Sequence, residues 1–299
     1  MSASRFELHL GEPGYPAHLA LSPRPPRHLF VMGDPAALVP GLAVIGSRKA
    51  TPYGLACAKL FAGWAAGCGV TIVSGAAIGC DQAAQTAALA AGGRSIAVLG
   101  CGADIDYPYS SRTLLRELRD GAGAVVSEFP WGMPVRPGHF PARNRIIAGL
   151  SQAVLVVEAA MPSGTFSTAD HALDADRTVL AVPGSVLFSG SAGCNRLLRQ
   201  GAGLVACVED LADELASAGL IDHLTAGASR PAPGAAEKGE IGTADPVLRA
   251  VQADPMSPDA IARHLDLPAH EALRRLAVLE ARGWIERFPD GRYGPCRSL

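Results

Sequence analysis

The 299-residue sequence predicts a doubly wound α/β domain with a mostly parallel sheet, followed by a small winged helix-turn-helix. From residue 42 onward, six short apolar runs alternate with helical stretches. Near residue 230 that periodicity breaks into Gly, Ala and Pro, and beyond the break come three helical stretches and an aromatic hairpin. Continuous apolar strands separated by helices signal a parallel sheet covered on both faces. A hydrophobic content of 48% supports a core of that size.

Residues 1–41 read as a Pro-rich lead-in whose one strand candidate is HLFVMG (28–33). The sheet domain then spans 42–223, with strands expected at LAVIGS (42–47), VTIVSG (70–75), RSIAVLG (94–100), GAVVSEF (123–129), AVLVVEA (153–159) and TVLAVPG (178–184). Thr51-Pro52 supplies an N-cap and a first-turn proline for the helix after the first of these strands. Asp81 is expected to start the alanine-rich helix DQAAQTAALAA. Residues 224–243 read as a flexible linker. In the expected winged helix, 244–299, Asp290-Gly291 falls at the hairpin tip. Leu273, Leu276 and Leu279 fall at core spacing on the third helix.

A formal net charge of −2 requires any nucleic-acid site to be a local patch. The seven cysteines form no CxxC pair, so they read as reduced small hydrophobes, with neither a disulfide frame nor a metal site expected. MSASRFELHL has no signal-peptide pattern, and no apolar run reaches membrane-spanning length, so a cytoplasmic protein without a membrane partner is expected.

In a doubly wound sheet, ligands bind beyond the carboxyl ends of the strands. Those ends carry Gly46-Ser47-Arg48, Ser74-Gly75, Gly100-Cys101-Gly102, Ser127-Glu128, Ser163-Gly164 and Pro183-Gly184. Small residues admit a ligand close to the backbone, and helix N-termini there favour anions. Arg48 adds a cation to this rim, and the stretch FPARNR offers Arg143 and Arg145 as phosphate clamps with Asn144 as a hydrogen-bonding partner. The plainer reading has each arginine as an ion-pair partner, Arg145 with Glu128, and the glycines as turns. The sequence has no GxxxxGK[ST], no GxGxxG and no GxSxG elbow, which disfavours P-loop, nicotinamide and serine-hydrolase chemistry. The acids Asp104, Asp106 and Glu128 near the rim have no histidine or metal-ligand spacing beside them, so no cofactor is expected and catalysis has no clear carrier.

As a set, AVIGSRKATPYG, TIVSGAAIGCDQAAQTAAL, IAVLGCGADIDYP, VVSEFPWG, FPARNRIIAGLSQAVLVVEA, SGTFSTADHALD, VLAVPGS and GCNRLLRQGA resemble, in order and spacing, the DprA/Smf family of DNA-processing proteins of bacterial natural transformation. The resemblance covers roughly residues 30–208, and the tail is similar to the winged helix that many members carry. It implies an extended Rossmann fold and a homodimer that binds single-stranded DNA and hands it to the RecA recombinase, a binding protein rather than an enzyme. It also implies that Arg48 is a central DNA contact, with Gly46, Ser47, Gly75, Arg143, Asn144, Arg145, Ser163 and Gly164 in the same region. Ile78 and Pro162 stand where many members have cations, which shifts the expected burden of phosphate binding toward Arg112, Arg136 and Arg143.

Two other readings remain open from the residues. A free-nucleotide enzyme is one, because MPSGTFSTAD (161–170) is a distant counterpart of the PGGxGTxxE segment of phosphoribohydrolases. In the winged helix, Arg274, Arg275, Arg282, Arg287 and Arg292 alternate with Glu271, Glu280, Glu286 and Asp290, leaving duplex binding and protein interaction both open.

Overall fold

The computed structural model describes residues 4–222, 245–282 and 284–295. The chain divides into two compact units, Met1–Ala228 and Ser229–Leu299. The expected linker, 224–243, lies outside the described residues.

The first unit is built on one nine-stranded sheet: β1 (Arg5–His9), β2 (His28–Gly33), β3 (Gly41–Gly46), β4 (Ile72–Ser74), β5 (Ser95–Val98), β6 (Gly123–Ser127), β7 (Ser151–Glu158), β8 (Thr178–Ala181) and β9 (Gly203–Leu204). Its spatial order is β1-β2-β6-β5-β4-β3-β7-β8-β9. From β6 to β9 neighbouring strands are parallel, and β1 and β2 add an antiparallel edge. All six strands anticipated from residue 42 onward form, each ending short of its anticipated last residue, while β3 and β7 begin earlier than anticipated.

The stretch read as a lead-in is part of the sheet. Residues Arg5 to His9 pair with Met32 to His28, and β2 pairs with β6. The core strands carry long apolar runs, whereas RFELH alternates and is largely exposed at an edge, which gives a single-sequence pattern little to register.

Helices cover both faces. On one lie α1 (Ala17–Ala20), α5 (His139–Gly149), α6 (Thr165–Asp174) and α7 (Ala192–Arg199), closing a core that holds Leu19, Ile146, Ala169 and Leu197. On the other lie α2 (Pro52–Gly67), α3 (Cys80–Ala90) and α8 (Val208–Ser217), around Phe61, Ala84 and Leu211. Alanines on the buried faces of α2 and α3 let these helices pack closely. A short helix, α4 (Arg112–Glu117), follows β5 and buries Leu114 and Leu115.

Thr51 caps α2 as expected, its hydroxyl accepting from the Gly54 N–H at 3.1 Å. Asp81 does not cap α3; it sits inside the first turn, buried, with its carboxylate turned back onto the loop after β4.

The second unit has α9 (Pro246–Ala253), α10 (Pro258–His264), α11 (Ala269–Ala281) and the hairpin β10 (Ile285–Arg287) with β11 (Tyr293–Pro295), the winged-helix arrangement. Asp245 and Ser257 cap the first two helices through their side chains. Leu276 and Leu279 enter its core with Val247 and Ile261, but Leu273 is half exposed. At 3.6 residues per turn, positions 276 and 279 share the buried stripe with Ala272, and position 273 rotates off it.

Candidate functional site

The chain runs outward from β3 in opposite directions, to β4 on one side and later to β7 on the other. Between two such strands the connecting loops diverge and leave a crevice at the carboxyl ends. A crevice of about 650 Å³ opens there. One wall is the loop after β3, with Gly46, Ser47, Arg48 and Lys49. The other is the turn into α6, with Pro162, Ser163, Gly164 and Thr165. Phe140 and Asn144 of α5 and the loop Phe188–Gly190 close its ends, and Asp81, Arg143 and Glu158 line it more deeply.

Two cations face solvent at its mouth. Arg48 and Lys49 are exposed, and the Arg48 guanidinium lies 5.5 Å from the centre of the Phe140 ring. Phe140 leans on Tyr107 with ring centres 5.8 Å apart. Beside the crevice these aromatics, with Ile78 and Leu99, line a second cavity of about 270 Å³. Opposite the cations, the Ser163 hydroxyl donates to Thr165 Oγ1 at 3.0 Å and accepts from the Thr165 N–H at 3.2 Å. The N-terminus of α6 therefore adds a positive dipole end to the same opening.

The N-terminus of α2, on the same rim, is already filled. The Glu158 carboxylate, at the end of β7, accepts from the Thr51 N–H at 3.1 and 3.2 Å and from the Thr51 hydroxyl. Its own carboxylate thus occupies the place at α2 where a dinucleotide-binding turn would hold a pyrophosphate. Gly54 makes room for it: a Cβ there would stand 2.6 Å from Glu158 Oε2.

The loop after β4 is fixed at every backbone polar group from Gly75 N–H to Ala77 N–H. Asp81 accepts from Gly75 and Ala77 at 3.1 and 3.4 Å, and Gln85 accepts from Ala76 at 3.1 Å. Ser111 donates to the Ala76 carbonyl at 2.6 Å, and Arg143 donates to the Gly75 carbonyl at 2.9 Å and to that of Val98. These bonds hold Ala76 at φ +53°, a left-handed conformation disfavoured for alanine. Burial pushes the Asp81 carboxyl up, opposed by Arg143 and the two N–H donors, and burial lowers Arg143 to about 10, which still leaves it charged at neutral pH.

The anticipated residues therefore separate. Gly46, Ser47, Arg48, Asn144, Ser163 and Gly164 converge on the crevice, and Gly75 lines the adjoining cavity. The clamp expected from FPARNR is not what these side chains form. Arg143 is 4% exposed, with its Nη1 donating to the Gly75 and Val98 carbonyls and its buried Nε without a hydrogen-bond partner. Arg145 makes a two-point ion pair with Glu128 at 2.7 and 2.6 Å, as its plainer reading had it. Asn144 bridges to α6, donating to Ser167 Oγ at 2.7 Å. Arg112 pairs with Asp106 at 3.2 Å and lies over Tyr109, away from both cavities. The acids weighed for acid–base chemistry are engaged as well: Asp104 with Arg5, Asp106 with Arg119 and Arg112, Glu128 with Arg145. Sequence reasoning passed over Lys49, Thr165, Asp81 and Glu158. Lys49 adjoins Arg48 and was legible by position; Glu158 was not, because nothing local marks a carboxylate as facing the N–H groups of a distant segment, and Asp81 reads locally as a helix start although its N–H partners, Gly75 and Ala77, lie just before it.

A Rossmann-like sheet with a cation-mouthed crevice at its switch point, carried on one chain with a winged helix, defines a protein built to bind an anionic ligand. The family model described as DNA recombination-mediator protein A matches residues 7–216, and the DprA winged helix domain model matches residues 230–291. The chain belongs to this DprA/Smf family. It is 40% identical over 279 residues to Protein Smf of Escherichia coli, covering 93% of this chain and 74% of the relative. It is 41% identical over 202 residues to the DNA processing protein DprA of Streptococcus pneumoniae, covering 67% and 71%. The solved structure of the Streptococcus pneumoniae protein matches with a TM-score of 0.67 at 38% identity, over 70% of this chain and 74% of that one. DNA processing protein A from Helicobacter pylori, solved for its single-stranded DNA binding mode, matches with a TM-score of 0.65 at 28% identity, over 73% and 99%. Among the described residues, no helix is long and apolar enough to cross a membrane and no group of three metal-ligating side chains occurs.

Proposed function

We propose that this chain binds single-stranded DNA along the switch-point crevice and, as a cytoplasmic homodimer, delivers the strand to the RecA recombinase during natural transformation. The observation that carries the DNA site is the exposed pair Arg48 and Lys49 facing the N-terminus of α6 across an open crevice. Phosphates lie against Arg48, Lys49 and the Ser163-Gly164-Thr165 turn, with the Ser47 hydroxyl and the Asn144 amide as neutral partners. Gly46 and Gly75 admit the packing behind this wall, since a Cβ at Gly46 would stand 2.7 Å from Cys80 Sγ and one at Gly75 would meet the Arg143 guanidinium. Arg143 and Arg145 act behind this surface, bracing it, and Arg112 reaches phosphate only at the outer end of the path. The homodimer and the RecA step rest on family membership, and light scattering and a RecA filament-assembly assay on coated single strands test them.

The DNA site is tested by fluorescence anisotropy of matched single- and double-stranded oligonucleotides over a salt series. Arg48→Ala should weaken single-strand binding about 5-fold at moderate salt, as the loss of one charged contact of about 1 kcal/mol implies, and should lower the salt slope by about one contact. An unchanged slope and affinity would remove Arg48 from the site.

One observation favours a nucleotide-hydrolysing alternative: two buried carboxylates, Asp81 and Glu158, line the crevice. Both are already held by N–H donors of the chain, Glu158 by Thr51 and Asp81 by Gly75 and Ala77, which leaves little of either carboxylate to position a water for attack. Release of free base from nucleoside monophosphates would reverse that preference.

A further inference from the structure

The loop after β8 carries an apolar tip that the phosphate contacts leave unused. Val186 and Leu187 are 90% and 95% exposed, the most exposed of the large apolar side chains described. The loop has a tied base and first turn. At its foot Asn195 bonds the Gly184 N–H and carbonyl at 3.2 and 3.0 Å, and the Tyr53 hydroxyl donates to the Pro183 carbonyl at 2.8 Å. At its turn the Ser185 hydroxyl accepts from the Leu187 N–H at 3.2 Å. Immediately after the tip, Phe188, Ser189 and Gly190 line the crevice itself. A tied loop that raises two aliphatic side chains into water beside a cationic crevice leaves apolar surface for whatever the crevice holds.

We infer that Val186 and Leu187 contact the unstacked bases of the single strand lying in the crevice, and that this contact supplies its preference for single strands over duplex. The inference rests on the single-strand reading above. A single strand with its phosphates on Arg48, Lys49 and the α6 turn leaves its bases free to turn toward an adjacent wall, and base faces are apolar enough to cover aliphatic side chains. In a duplex those faces are stacked and paired, so the tip gains nothing from it. A base contact of this kind adds affinity without displacing counterions, so it separates from the phosphate contacts in a salt series.

The test uses the full chain, wild type and Val186→Ser/Leu187→Ser, with three probes of equal length: oligo-dT, the same strand with its central nucleotides abasic, and a duplex. Exposed positions leave the core intact, and unchanged thermal unfolding verifies that. The expected result is oligo-dT binding about 5- to 20-fold weaker in the variant with an unchanged salt slope, equal binding of the abasic strand by both proteins, and unchanged duplex binding. Full oligo-dT affinity in the variant, or an equal loss on abasic and normal strands, overturns the inference. A fall in mass by light scattering overturns it in favour of a contact between two copies of the chain. Arg48→Ala, run in parallel, separates the two failures: wild type that binds no single strand sinks the crevice reading and this one with it, whereas a silent tip beside a responsive Arg48 sinks this one alone.

Discussion

The two cations in FPARNR, one residue apart, have unlike surroundings, set chiefly by partners distant in sequence. Arg143 enters the protein beneath the rim, and its removal would leave the Gly75 and Val98 carbonyls without their donor and Asp81 without its facing cation. Arg143→Ala should therefore cost about 2–4 kcal/mol in urea unfolding and weaken DNA binding without lowering the salt slope. A slope that falls as for Arg48→Ala would place the guanidinium on phosphate. The sequence displayed the cations but not their depth, because burial of an arginine depends on carbonyl acceptors contributed by β4 and β5, dozens of residues away. A second buried group sets a pH response. His18 has a buried Nε2 with no hydrogen-bond partner, and burial together with the Arg177 cation lowers it to about 4 from an ordinary 6.5. The unfolded chain binds this proton at pH 6.5 and the folded one only near 4, so stability is full above pH 6.5 and declines as pH falls toward 4. After a discount for its partial exposure the effect is on the order of 1–2 kcal/mol. His18→Gln should flatten unfolding free energy measured between pH 7 and 4, and an undiminished slope would assign it elsewhere.

Elements built from long apolar runs were legible, and elements defined by partners were not. The strands β3 to β8 announce themselves because both faces are buried, and Thr51-Pro52 announces α2 because a cap and a first-turn proline are local chemistry. β1 is an exposed edge whose existence depends on β2 and β6. The start of α2 shows how a tertiary partner reverses a local preference. Within a helix, alanine is favoured over glycine by about 1 kcal/mol. At position 54, however, a methyl group would meet the Glu158 side chain at 2.6, 2.9 and 3.0 Å, where that carboxylate is buried and bound to Thr51. Gly54→Ala should therefore destabilise by about 1–3 kcal/mol, read as a lower midpoint in thermal or urea unfolding. A gain in stability would show that Glu158 moves aside freely and that its hold on α2 is weak.

At the scale of the whole chain, a formal charge of −2 gives no general attraction to DNA, so binding has to come from exposed cations left without an acidic partner. In the first unit Arg48 and Lys49 meet that condition at the crevice. In the winged helix several of the expected cations are engaged within their own unit: Arg275 with Glu271 at 2.6 Å, Arg292 with Asp290 at 2.7 Å, and Arg282 over the Trp284 ring at 5.3 Å. The exposed side of α11 also presents Leu273 and Val278, apolar residues where a groove-reading helix would show donors. This favours the protein-interaction reading of the second unit. The first unit has its own cores on both sheet faces, so a chain ending at residue 222 is expected to fold. Its single-strand affinity should stay within about threefold of the full chain, with the same salt slope, since no phosphate contact is removed. Residues 245–299 alone should show no duplex binding at low micromolar concentration. A slope lower by one or more in the shortened chain would mean that arginines of the winged helix reach the same strand, and the division of labour between the two units would have to be redrawn.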